Sequence, residues 1–148
     1  MTIKGIINEM EATTTALSLI FKSFSTGVES EWTRSQEIVY PNVYAIRPQF
    51  SSYDSLGITY IVPVIFSDRS IEGLENALEI HSTLNNSMLI WCQQVTNTFD
   101  DLNLACIMTN FLHDQEGGLD RCYYIRAELQ VFIPISLCTD IINFNPTC

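Results

Sequence analysis

Residues 71–99 limit what this chain can fold into more than any other part of it. Ile71, Leu74, Leu78, His81, Leu84, Met88, Trp91, Cys92, Val95 and Phe99 recur at three- and four-residue steps, the spacing of one helix face continued over roughly seven turns of 3.6 residues. Glu72, Glu75, Asn76, Glu79, Asn86 and Gln93 fall mainly off that stripe, so one side of the helix is packed and the other is wet. Asp68 or Ser70 is the expected N-cap. After Asp100-Asp101 the period drops to two. Residues 104–112 predict a strand, and Glu116-Gly117-Gly118 carry the turn chemistry of a hairpin. In the return strand Tyr123, Ile125, Ala127, Leu129, Val131 and Ile133 alternate with Tyr124, Arg126, Glu128, Gln130 and Phe132, which puts one set on a core face and the other on a polar or interface face.

The first half of the chain is less regular. Ile3, Ile6, Ile7, Met10, Leu17, Ile20, Phe21 and Phe24 predict an amphipathic helix over residues 3–25, with Gly27 beyond its end. Thr13, Thr14 and Thr15 weaken its middle. Residues 36–48 read as a strand region interrupted by Pro41 and closed by Pro48, which places it at an edge or a bulge because proline donates no ladder hydrogen bond. A polar stretch, 49–55, separates it from 56–66, a nearly continuous β-branched and aromatic run that expects cover on both faces. Pro63 inside that run again suggests an edge or a bulge. Residues 136–148 offer Ile141, Ile142 and Phe144 but no decisive pattern. The expectation is a single domain over 1–148: an α+β fold in the order α-β-β-α-β-β, whose mostly antiparallel sheet is packed by one long helix, with an additional N-terminal helix.

Charge narrows the partners. Seven basic against 17 acidic residues give a net charge of −10, a poor match for a phosphate backbone or an anionic membrane. The longest apolar stretch is far short of the roughly 20 residues a membrane span needs, and Glu9 and Glu11 interrupt the start before any signal-peptide core forms. Five cysteines, at 92, 106, 122, 138 and 148, leave one over and form no C-x-x-C pair. That count fits unpaired thiols packed as small hydrophobes in a reducing compartment, so the expected location is cytosolic. The sequon Asn85-Asn86-Ser87 would then be idle.

Catalytic constellations are sparse. His81 lies on the apolar stripe, where a core histidine bonded to a carbonyl is expected. His113 stands beside Asp114, near Glu116 and Asp120. Such a group can hold a metal or act as a base, but the Gly-rich turn favours a solvated acidic hairpin tip. Glu72, Glu75 and Glu79 read as a solubilising helix face. No nucleophile elbow, zinc-protease or phosphate-cradle motif is present. No catalytic residue, metal site or cofactor is therefore expected. Trp32, Tyr40, Tyr44, Tyr53, Tyr124 and Phe132 fall outside the core patterns. They suit a subunit interface, or a surface that the N-terminal helix or the tail covers.

With its elements in this order, the chain resembles the head–tail connector and tail-terminator ring proteins of tailed bacteriophages. The carrying segments are YPNVYAIRP, ITYIVPVIFSD, SIEGLENALEIHSTLNNSML, WCQQVTNTF, ACIMTNFL and RCYYIRAELQVFIPI. The strand ending in Ser-Asp that runs into the long helix is similar to neck rings of phages related to the crAss-like group. The resemblance spans about residues 3–135. It implies a non-enzymatic virion protein of the neck or tail, assembled in the host cytoplasm. Its copies would close into a ring of about six or twelve, stacked against portal, connector or tail proteins, with DNA passing through unbound. On that basis Trp32, Tyr124, Arg126, Glu128 and Phe132 are the candidate subunit interface. Asp114, Glu116 and Asp120 would be the charges of a hairpin reaching the lumen or a neighbouring ring. Two other readings stand beside it: a small acidic ligand- or metal-binding domain using the His113 group, and an adaptor that pairs a foreign strand along 38–48.

Overall fold

Helix α3 (Ala77–Asp101) lies across a sheet whose main ladder is the antiparallel pair β5 (Ala105–Gly117) and β6 (Cys122–Pro134) in the computed structural model of this protein, which describes residues 1–34, 38–69, 77–117 and 122–134. The stripe predicted for the helix is the face it buries: Leu84, Met88, Trp91, Val95 and Phe99 are all inaccessible. Leu78, on the stripe by spacing, is 83% exposed. Among the described stripe residues packing begins at His81, whose ring meets Tyr123 edge-on at 5.0 Å. The helix ends because Asn103 takes a left-handed φ of 60°. That turn lets Leu104 N–H reach the Phe99 carbonyl and Asn103 N–H the Asp100 carbonyl, both at 2.9 Å, closing orphan carbonyls at the helix terminus. Ser70 and residues 71–76, the expected start of this helix, lie outside the described residues. Asp68 itself is the last residue of a strand, and its carboxylate accepts from Arg69 N–H at 2.7 Å.

The α+β class, the mostly antiparallel sheet, the long helix and the N-terminal helix are all present. Their order is longer than the expected α-β-β-α-β-β. Helix α1 (Ile3–Ala16) stops nine residues before the expected 25. Thr13, Thr14 and Thr15 donate their hydroxyls to the carbonyls of Glu9, Met10 and Glu11, a back-bonding that weakens a helix. Residues 23–27, read as the end of that helix and its stop, form strand β1 (Ser23–Gly27). Helix α2 (Glu29–Arg34) follows, then β2 (Asn42–Ile46), β3 (Gln49–Tyr53) and β4 (Gly57–Asp68). The polar stretch taken as a connector is thus partly strand β3.

Along the sheet the order is β1-β2-β4-β6-β5, with β3 paired to the other half of β4 on the β2 side. Only β1 and β2 run parallel among the described pairs. The edge expected at 38–48 is not there: β2 sits between β1 and β4 with all five residues buried. Pro41 precedes it and Pro48 follows it, so neither interrupts its ladder. Pro63 lies in the central strand, opposite Glu128 of β6. On its other flank β3 pairs only with 58–61 and β2 only with 64–67. A residue without an N–H fits at that break in the ladder.

One sheet face, called inner here, carries the main core. Ile58, Val62, Val64, Phe66, Ile125, Ala127, Leu129, Val131 and Ile133 meet Ile6 and Met10 of α1 and the apolar face of α3. Phe66 packs edge-on against Trp91 at 5.2 Å, and Trp91 Nε1 donates to Thr14 Oγ1 at 2.9 Å, tying the two helices together across the core. Each such large side chain contributes about 1.5–3 kcal/mol by leaving water. The outer face has a second, smaller cluster of Trp32, Tyr44, Ile46, Ile65 and Cys122.

Candidate functional site

The outer face is built in cross-strand rows. Asn42, Ser67 and Tyr124 make one row, and Tyr44, Ile65, Arg126 and Leu112 the next. Further along come Gln49, Ile61, Gln130 and Ile107, then Ser52, Thr59, Phe132 and Ala105. Side chains in a row stand on one side of the sheet.

Helix α2 covers the β2, β4 and β6 part of the first two rows, leaving Leu112 of β5 exposed. Trp32 belongs to this helix rather than to a loop, and only 3% of it is exposed. It packs edge-on against Tyr124 at 5.2 Å. Arg126 Nε meets Glu29 Oε1 at 3.2 Å, and its other nitrogen lies 3.8 Å from Glu128. Tyr44 donates its hydroxyl to the Val28 carbonyl, and burial together with the Glu31 carboxylate raises its pKa. Of the sequence candidates for an interface, Trp32, Tyr124, Arg126 and Glu128 therefore contact one another or α2 within the chain. The cover over these aromatics is α2, not the N-terminal helix.

The last two rows are open. Thr59, Ala105, Cys106, Ile107, Gln130 and Phe132 line a shallow groove of about 230 Å³. Phe132 is the one sequence candidate here. Past the groove, β5 has no further strand beside it among the described residues, and its Ile107, Phe111 and Leu112 are 57%, 42% and 54% exposed. Sequence reasoning counted Tyr53 of β3 among the aromatics suited to an interface and put Asp114 and Glu116 of β5 on a ring-contact hairpin, but it did not single out Phe50, Ile107, Phe111 or Leu112, although their apolar side chains were the available signal.

Asp114 and Glu116 lie on the last part of β5, Asp114 opposite Tyr124, and Asp120 is outside the described residues. His113 is exposed, with Nε2 3.3 Å from Asn85 Oδ1. Among the described residues no three His, Cys, Asp or Glu side chains come together as metal ligands would. His81 Nε2 is buried and has no hydrogen-bond partner among them. Cys92 and Cys106 are free thiols. Burial pushes Cys92 up to about 12 and raises Cys106 as well, which keeps both in the unreactive thiol form at neutral pH. Cys138 and Cys148 lie outside the described residues. Among those residues no helix is long and apolar enough to cross a membrane.

No protein-family model matches this chain, and no curated protein does.

Proposed function

We propose that this chain is a structural, non-enzymatic subunit of a homo-oligomeric ring, of the kind that stands between portal or connector and tail in the virion of a tailed bacteriophage. The observation that carries an assembly role is the open half of the outer face, which runs into the long edge strand β5 and its exposed Ile107, Phe111 and Leu112. A long apolar sheet edge on a chain of net charge −10 is a surface that association covers. The position at the neck rests on the resemblance of the sequence segments quoted above. The net negative charge suits a channel wall that lets DNA pass without holding its phosphates. Phe132, which lines the groove of the open half, supports an interface on this face. The adaptor reading loses its edge, because 42–46 lie inside the sheet.

The test is solution mass by light scattering after size exclusion, with negative-stain images of the same peak. The expected result is a closed ring of about six or twelve copies. An open filament or a two-fold dimer would overturn the ring, and a single copy at every soluble concentration would overturn self-assembly.

A further inference from the structure

Two edges of the sheet lack a strand partner among the described residues, and they lie at the same end of it. One is β3, whose five residues are all exposed, Phe50 by 61% and Tyr53 by 50%. The other is the first part of β5, residues 105–109. The rows Gln49–Ile61–Gln130–Ile107 and Ser52–Thr59–Phe132–Ala105 join these edges straight across β4 and β6. Length agrees as well, because the regular part of β5 ends in a bulge after Thr109, where Asn110 takes a φ of 54°. That leaves five residues on each edge.

Direction and charge also agree. All three pairings across β3, β4, β6 and β5 are antiparallel. A β5 laid beside the β3 of a second copy would therefore continue the alternation. Neither QFSSY nor ACIMT contains a charged residue, in a chain that carries 17 acidic and seven basic ones. Two copies at −10 each repel over most of their surfaces, so contact is cheapest where both are neutral. Edge strands that stay single are commonly guarded by lysine or proline, and neither occurs in these two segments.

We infer that the occupant of the β5 edge is a second copy of this chain, whose β3 pairs antiparallel with it through residues 49–53 and 105–109. This deepens, and rests on, the reading of the protein as a ring subunit. The two edges differ from each other, so the contact is head-to-tail, the type that generates a ring when its rotation closes. Backbone hydrogen bonds supply the ladder, and the groove lined by Ile107 and Phe132 lies beside the joint on the outer face.

Full-length Ile107→Lys and Phe50→Lys test this, because each places a charge on one edge only. Both side chains are more than half exposed, so the unfolding midpoint and circular dichroism should stay as in the wild type. Each variant alone is expected to fall to the single-chain mass of 16.8 kDa. An equal mixture should form a one-to-one dimer, since each variant keeps the edge the other has lost. If a lysine variant loses its dichroism spectrum, Ala105→Glu and Ser52→Glu replace the pair. A ring that keeps its mass in these variants would overturn the edge contact while leaving the ring reading standing. Variants that dissociate but do not recombine would overturn the pairing with β3. A wild-type chain that never self-associates would overturn both.

Discussion

Strands β5 and β6 have 13 residues each and pair with one another, yet their surroundings have little in common. β6 is flanked by β4 and β5 and alternates between buried and half-buried residues from Tyr123 onward. β5 has a neighbour on one side among the described residues, is interrupted by two register shifts, and exposes Ile107, Phe111 and Leu112. The contrast shows that composition does not decide burial here. Both strands are rich in large apolar residues, and place in the sheet separates a core element from an exposed one.

Substitution should make the contrast measurable. Leu129→Ala in β6 removes a fully buried side chain and should lower unfolding free energy by about 2–5 kcal/mol in urea titrations. Ile107→Ala in β5 should cost within about 0.5 kcal/mol when measured on the single-chain species. Equal losses would mean that β5 is as enclosed as β6. A smaller effect probes how tightly β6 is held at its end. Gly57 lies opposite Pro134, and a Cβ there would collide with the Ile133 carbonyl and crowd Phe132. Gly57→Ala should therefore cost about 1–3 kcal/mol, and no change in unfolding midpoint would show that the β4–β6 junction is looser than described.

The smallest effect concerns pH. Asp68, opposite Tyr123 of β6 at the other end of this ladder, has its carboxyl pKa raised by burial, partly opposed by the hydrogen bond from Arg69 N–H. A raised folded pKa means that the fold prefers the protonated form. Its contribution is full below the unfolded pKa of about 3.9 and fades as pH rises through the higher folded value. Asp68→Asn should accordingly gain less stability than the wild type when pH is lowered through that window. Parallel stability–pH curves for the two proteins would remove this residue from the account.

Much of the second half of the chain was legible in the sequence. In β6, Tyr123, Ile125, Ala127, Leu129, Val131 and Ile133 are the buried set because a period of two sends alternate side chains to opposite faces. Helix α3 was equally plain from its stripe, apart from Leu78. The first half was not. Leu17, Ile20, Phe21 and Phe24 keep helical spacing, yet the chain turns after Ala16 and Phe21 reaches the core from outside any helix. Strand β3 has too few apolar residues to announce itself, and α2 is a six-residue helix whose role rests on Trp32 finding Tyr124. The candidate interface was half legible. Phe132 lies on the open half, whereas Trp32, Tyr124 and Arg126 have partners within the chain, which spacing cannot show.

By itself, then, the sequence determined the fold class, the long helix, the faces of β6 and the acidic balance, because each depends on periodicity or composition along a short stretch. Tertiary structure alone decided that β2 lies inside the sheet with its prolines outside the ladder, and that α2 closes half of the outer face. It also decided that, among the described residues, β3 and β5 end as edges on the same rows. Those outcomes depend on which strand stands beside which, a relation between residues distant in the chain that no local pattern encodes.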